Sequence, residues 1–172
     1  GTLHNKPLTA VAKITNNNNS LQVASNIKYN NNSADLTLAM NDSLHLNADI
    51  NINDFTDIMP SAQGTMKSQV TFNNTPRKPV LQFKLNTENL QFGMITANNI
   101  NSSINIDTNN QISSHTTIDS LSSSYWNANF ITTDINGSLD DHLIKLGIQE
   151  PNSQFNSTIS GSYDAGTWLG TI

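Results

Sequence analysis

Four histidines are the side chains of this sequence best suited to acid–base or metal chemistry. They are His4, His45, His115 and His142, and they lie far apart in the chain. None has a second ligand at the spacing that protein metal sites use. The chain contains no cysteine, which excludes disulfides, thiolate catalysis and cysteine-type zinc sites. We therefore predict no metal centre and no cofactor.

Two short polar clusters invite a chemical interpretation that their surroundings do not support. Residues 140–142 (Asp-Asp-His) could supply an acid–base pair, but no serine or cysteine nucleophile motif stands beside them; a solvated turn before a strand explains them better. Residues 51–54 (Asn-Ile-Asn-Asp) lack the glycine-containing loop and terminal glutamate of a calcium site. Trp126 and Trp168 suit packing better than sugar binding. The sequence predicts a protein that is not an enzyme.

Charge and hydropathy narrow the class of partner. The formal net charge is −5, and the eight lysines and arginines are scattered along 172 residues, so there is no basic patch for a nucleic-acid backbone. No apolar run approaches the length of a membrane span, and the first residues do not form a signal peptide. We expect residues 1–172 to form one unit, a segment of a longer protein.

Apolar and polar side chains alternate along almost the whole chain, as in Leu44, Leu46, Ala48 and Ile50. Because successive side chains of a strand point to opposite faces, this period predicts about a dozen strands, each with one apolar face. Short connections rich in Asn, Asp, Gly and Pro suit hairpins and leave no room for crossover helices. The sequence predicts an antiparallel meander.

Residues 53–60 break the alternation. Phe55, Ile58 and Met59 follow helical spacing, the Asn-Asp pair at 53–54 can cap the first turn, and a proline stops it. We interpret the segment as one or two helical turns that plug an end of the apolar face. It separates a first strand set, residues 1–52, from a second, residues 61–172.

A sheet with one apolar face must bury that face against another layer or against itself. If the sheet folds tightly, its halves make a dry core; if it stays open, it leaves a trough. The residues that line either the core or the trough are predicted to be Leu36, Leu38, Met40, Leu44, Leu46, Ile50, Val70, Phe72, Leu81, Phe83, Leu85, Phe92, Ile104, Ile106, Phe130, Ile144 and Leu146.

Small motifs recur in order through the second part of the chain. They lie in residues 55–64, 76–92, 135–146 (Ile-Asn-Gly-Ser-Leu-Asp-Asp-His-Leu-Ile-Lys-Leu) and 155–172. With them the chain resembles the central, repetitive part of the TamB family, the inner-membrane subunit of the translocation and assembly module. That family is related to the AsmA-like, bridge-like lipid transfer proteins with a β-groove. The first fifty residues match only in their alternation.

The resemblance implies an all-β fold: an elongated, curved antiparallel sheet, a β-taco or half-pipe, with an apolar concave groove and one very short helix. It implies a periplasmic segment of a protein anchored in the inner membrane of a Gram-negative bacterium. The implied partners of the groove are phospholipid acyl chains, carried between the membranes, or unfolded outer-membrane β-proteins during assembly. A TamA-like outer-membrane barrel would bind outside this segment.

A rival hypothesis is a structural or adhesive β-solenoid of a surface protein. Polar faces rich in Asn, Ser and Thr are typical of such proteins too. A solenoid closes its core, whereas a conduit leaves a continuous apolar groove, so the two hypotheses predict different interiors.

Overall fold

Strands make up nearly all of the computed structural model, which describes residues 1–3, 5–17, 19–75, 78–138, 140–164 and 167–171. The strands are β1 (Thr2–Leu3), β2 (Lys6–Asn17), β3 (Ser20–Tyr29), β4 (Asn32–Met40), β5 (Leu44–Ile52), β6 (Ala62–Thr75), β7 (Lys78–Phe92), β8 (Ile95–Ile106), β9 (Ile112–Ser122), β10 (Asn127–Gly137), β11 (His142–Gln149), β12 (Gln154–Asp164) and β13 (Thr167–Thr171). One 3₁₀ helix, Phe55–Asp57, stands between β5 and β6. The prediction of an all-β fold with one very short helix is confirmed.

All thirteen strands belong to one open, curled sheet whose spatial order is the sequence order. Each strand pairs antiparallel with its sequence neighbours, from β1·β2 to β12·β13. The predicted meander is confirmed. The rival β-solenoid is wrong, because the coils of a β-helix stack in parallel. Among the described residues, no helix has the length and apolarity to cross a membrane.

The register gives the sheet two chemically distinct faces. Leu46 of β5 lies opposite Leu38 of β4 and Phe72 of β6, and directly opposed residues share a face. We call the face that carries these three residues the apolar face and the other the polar face.

Charged side chains are sorted between these faces. Within β2–β12, every described lysine, aspartate and glutamate side chain lies on the polar face except that of Lys6 at the start of β2. The polar-face charges are those of Lys13, Lys28, Asp35, Asp49, Lys67, Lys84, Glu88, Asp119, Asp134 and Lys145. The strand pairing therefore aligns the period-two pattern of each strand with that of its neighbours, so one face of the sheet is apolar and the other is polar.

A β-bulge shifts the alternation by one residue where β6 meets β7. Gly64 of β6 faces two residues of β7, Asn89 and Leu90, and the register changes at this point. Gly64 and Asn89 have φ values of 110° and 50°, in the left-handed region that bulges use. Beyond the extra residue the pattern resumes one position later, so Thr87 and Leu90 share the apolar face.

The same shift continues across β8, β9 and β10. Ser120 of β9 also has a left-handed φ, of 55°, and beyond it Ala97, Leu121 and Ala128 lie opposite one another. Ala97 and Ala128 are 4% and 2% exposed. Because neighbouring strands shift together, the apolar face continues without a break to this rim of the sheet.

Burial in the sheet is shallow. The buried apolar side chains among the described residues are only Ile52 and three alanines, Ala62, Ala97 and Ala128. The accessible surface is 11279 Å², whereas a compact monomer of this mass would expose about 8,300 Å². The excess is the signature of a single layer without a second layer packed on it.

The bulge predicts a selective intolerance at Gly64. A Cβ there would lie 2.7 Å from the Asn89 carbonyl oxygen, whereas a Cβ at Gly93, whose φ is 58°, would meet nothing within 4 Å. Gly93→Ala should carry only the left-handed backbone penalty, which lowers the unfolding midpoint by about 2–8 °C. Gly64→Ala should lower it further, as circular dichroism melts would show; equal losses would contradict this account.

Candidate functional site

The apolar face is the candidate site, because it gathers the side chains that the sequence singles out. The register places all the predicted lining residues on it except Phe130. They form rows that run across the strands. One row contains Leu38, Leu46, Phe72, Leu81, Ile106 and Ile112, and the next contains Leu36, Ala48, Val70, Phe83, Ile104, Ile135, Ile144 and Ile159.

Phe130 lies on the polar face, which corrects its predicted place. It is directly opposite Asp119 of β9 and Gln149 of β11. The alternation shifts by one residue between Ala128 and Phe130, so these two residues lie on opposite faces. A strict period-two pattern would place both on the apolar face, which is wrong for Phe130. Ile131 takes the apolar position instead, opposite Ile118 of β9 and Ile148 of β11.

The apolar face is open. Leu36, Met40 and Phe92 are 39%, 51% and 55% exposed, and the described part of the chain has no large side chain that is fully buried. A tight sandwich would bury these residues as an interior. Of the two alternatives left by the sequence, the open sheet is therefore the observed one.

Hydroxyl groups interrupt the apolar rows near their centre. Ser102 and Thr116 lie opposite each other and share a hydrogen bond of 2.8 Å, with Thr133 next to Thr116 on β10. Thr87 is 3% exposed and its hydroxyl has no partner within the described residues. The centre of the apolar face therefore carries short hydroxyl side chains, and rows of larger apolar side chains flank it.

The 3₁₀ helix covers one end of the apolar face. Its N-cap is Asp54, whose carboxylate accepts from the Thr56 backbone N–H at 2.9 Å, as the sequence allowed. Asn32, which lies on the apolar face opposite Tyr29, accepts from the Asp54 backbone N–H at 3.1 Å. The segment therefore lies over this end of the sheet, where the sequence predicted a plug.

A cluster of polar contacts fixes this plug to the sheet. The Asp57 carboxylate accepts hydrogen bonds from Lys6 Nζ at 2.5 Å, Asn30 Nδ2 at 2.9 Å and Asn32 Nδ2 at 3.0 Å. Ile58 and the methionine after it, which follow helical spacing, are exposed. The sequence does not reveal these anchors, because they come from two distant parts of the chain, the start of β2 and the junction of β3 and β4.

This network shifts the ionisation of both charged partners. The hydrogen bonds from Lys6 and Asn30 hold the pKa of Asp57 below its ordinary value of 3.8. The hydrogen bond to Asp57 raises the pKa of Lys6. Both groups are therefore charged at neutral pH, and the pair forms a salt bridge at the end of the sheet.

Two of the described histidines, His45 and His115, take part in local pairs on the polar face, whereas His142 lies opposite Gly137 and Gly161 on the apolar face. His45 contacts the Ser43 hydroxyl at 2.7 Å and the Asn73 side-chain oxygen at 2.6 Å, and His115 contacts Asp134 at 2.6 Å. His4 lies outside the described residues. Within the described ranges, no three His, Cys, Asp or Glu side chains are placed to hold a metal ion.

The plug predicts a pH-dependent contribution to stability. At pH 7 Asp57→Asn should lower the midpoint of thermal unfolding, because it removes the charge that Lys6 and two amides bind. A carboxyl with a lowered folded-state pKa stabilises the fold above its unfolded pKa and loses this effect as pH falls through the folded pKa. The difference from wild type should therefore shrink below pH 3.8. The exposed Asp42→Asn is the control, and an equal effect there would contradict the role of Asp57.

An open apolar face predicts binding of an uncharged, solvatochromic dye such as Nile red to the native protein. Leu36→Asn and Met40→Asn should weaken the fluorescence without loss of the fold, since both side chains are already exposed. Thr37→Asn, on the polar face between them, should change nothing. A native protein that gains dye fluorescence only on unfolding would contradict an open face.

Comparison with known proteins identifies one family. A family model described as "TamB, N-terminal domain" matches residues 1–172. The match takes in the first fifty residues, which the motifs do not cover, and its description refers to an N-terminal domain rather than to a central part. No curated protein and no solved structure matches the chain.

Proposed function

The chain belongs to the TamB family, and from that premise we propose that its apolar face binds phospholipid acyl chains and conducts them between the inner and outer membranes. The observation that carries the proposal is that the apolar rows remain accessible, with Met40 and Phe92 more than half exposed. Each methylene that leaves water gains about 0.8 kcal/mol. A partly enclosed acyl chain therefore needs no further recognition to bind.

The layout of the rows suits a conduit. They cross strand after strand, from Leu38 on β4 through Phe72 on β6 to Ile106 on β8, so an acyl chain can move along the sheet over similar surface. Among the described side chains of β2–β12, lysines, aspartates and glutamates lie on the polar face apart from Lys6, which forms a salt bridge with Asp57. These charges would therefore not hold a headgroup at one position on the apolar face.

In this proposal the segment lies in the periplasm and acts by binding, without a catalytic step. The full-length protein is anchored in the inner membrane, and a TamA-like outer-membrane barrel contacts it outside residues 1–172. Family membership supports assignment to the cell envelope; the anchor and the barrel belong to the proposal.

A second candidate cargo is a β-strand of an unfolded outer-membrane protein. Within the described residues, β1 pairs with Lys6 and Pro7 of β2, and no other strand of residues 1–172 pairs with that edge of β2 beyond Leu8. An open edge can template another strand through backbone hydrogen bonds. This cargo would use the edge together with the apolar face.

Photocrosslinking with matched positions tests the conduit. A benzophenone side chain at Leu46 or Phe83, on the apolar face, should label phospholipid from vesicles. The same group at Asn47 or Gln82, the adjacent residues on the polar face, should not. Mass spectrometry of the adducts gives the measurement.

Two outcomes would overturn the lipid assignment. Equal labelling at the four positions would show that the apolar face has no special role. With an unfolded outer-membrane protein supplied beside the vesicles, labelling of that protein in place of lipid at Leu46 and Phe83 would favour the second cargo.

A further inference from the structure

The polar face carries a depression of about 660 Å³ that crosses the sheet from β4 to β9. This volume is within the range of small-molecule sites. Its lining contains the charged residues Asp35, Asp49, Lys67 and Lys84, together with amides, hydroxyls, His115 and the apolar residues Ile50 and Leu85. Since these side chains come from six strands, no motif of the sequence reveals them as a group.

One end of the depression is acidic. Asp35 of β4 and Asp49 of β5 are directly opposed, an arrangement that destabilises a sheet when both carry the same charge. Asn26 Nδ2 donates to Asp35 at 2.6 Å and Gln69 Nε2 donates to Asp49 at 2.9 Å. The two carboxylates are thus held side by side with no cation between them among the described residues.

The neighbouring part of the depression is basic. Lys67 of β6 and Lys84 of β7 are on adjacent strands, in successive rows of the polar face. The ion pairs within the described ranges are Lys6 with Asp57 and His115 with Asp134, so neither of these two lysines is neutralised there. Two unpaired ammonium groups on adjacent strands attract anions such as phosphate.

Asn51 lies between the two ends, opposite both Ser33 and Lys67. Its side-chain oxygen is buried and accepts no hydrogen bond from any described residue. Buried polar atoms are normally satisfied; this one is an exception, and it lies beneath the accessible surface of the depression.

We propose that the depression binds a phosphoethanolamine group. Its phosphate lies between Lys67 and Lys84, and its primary ammonium, with three donors, lies at the acidic end of the depression, nearest to Asp49. Adjacent strands are about 4.8 Å apart. Asp49 on β5 is one strand spacing from Lys67 on β6 and two from Lys84 on β7, a reach that this compact zwitterion spans with the help of the flexible lysine side chains. The site is on the opposite face from the acyl-chain surface and does not depend on that function.

Binding is tested by NMR titration of the purified chain with O-phosphoethanolamine. Saturable shifts should appear at residues of the depression. Lys67→Gln and Lys84→Gln should each weaken binding by about tenfold, as expected for one charge-assisted hydrogen bond. Asp49→Asn should weaken phosphoethanolamine but not inorganic phosphate. The control is Lys28→Gln, an exposed polar-face lysine outside the depression, which should leave binding unchanged.

Phosphocholine tests the role of the ammonium donors, because its quaternary amine has no N–H to donate to Asp49. It should bind more weakly. Vesicles containing phosphatidylethanolamine distinguish a lipid headgroup from the free compound: co-flotation that is lost in Lys84→Gln assigns the lipid, and binding of the soluble compound alone assigns the free zwitterion. The proposal is overturned if no saturable shift occurs, if phosphate or ethanolamine alone gives the same shifts and affinity, or if Lys28→Gln weakens binding as much as Lys67→Gln.

Discussion

Register is the constraint on which the rest of this structure depends. In a sheet with one apolar face, a slip of one residue between two strands would exchange the faces of every side chain beyond it. From β2 to β12 the pairing keeps most Leu, Ile, Val and Phe side chains on one side and the described strand charges, except Lys6, on the other. The apolar exceptions are Val11, Val80, Phe130 and Leu143. The bulge at Gly64 does not exchange the faces, because β7, β8 and β9 shift their alternation at neighbouring positions.

Much of the fold could be predicted because it depends on short-range pattern. The alternation indicated the strands, the hairpin connections indicated their order, and the Asn-Asp pair before Phe55 indicated the cap of the helical turn. Features that depend on distant residues could not be predicted. Phe130 was misplaced because the shift that starts at Asn89 reaches β10 only through the pairing of intervening strands. In β7, Thr87 and Leu90 share the apolar face although they are three residues apart, and this break in the period of two is the sign of the shift in the sequence.

The candidate site followed the same division. The membership of the apolar rows could be predicted from the sequence, because each residue's face follows from its parity within its own strand. The anchors of Asp57 could not, since Lys6, Asn30 and Asn32 approach it only when the ends of several strands meet. The depression on the polar face has the same origin: its acidic and basic parts are on different strands, and only the assembled sheet makes them neighbours.

The strict neighbour-to-neighbour order of the strands has a consequence for how such a chain can be made and can evolve. Each strand is stabilised by the two strands adjacent to it in sequence, so ordering requires no closure of long loops. Folding can therefore spread as a zipper from any hairpin. Duplication or deletion of a hairpin that keeps the alternation of faces in register would lengthen or shorten the sheet and leave its cross-section unchanged.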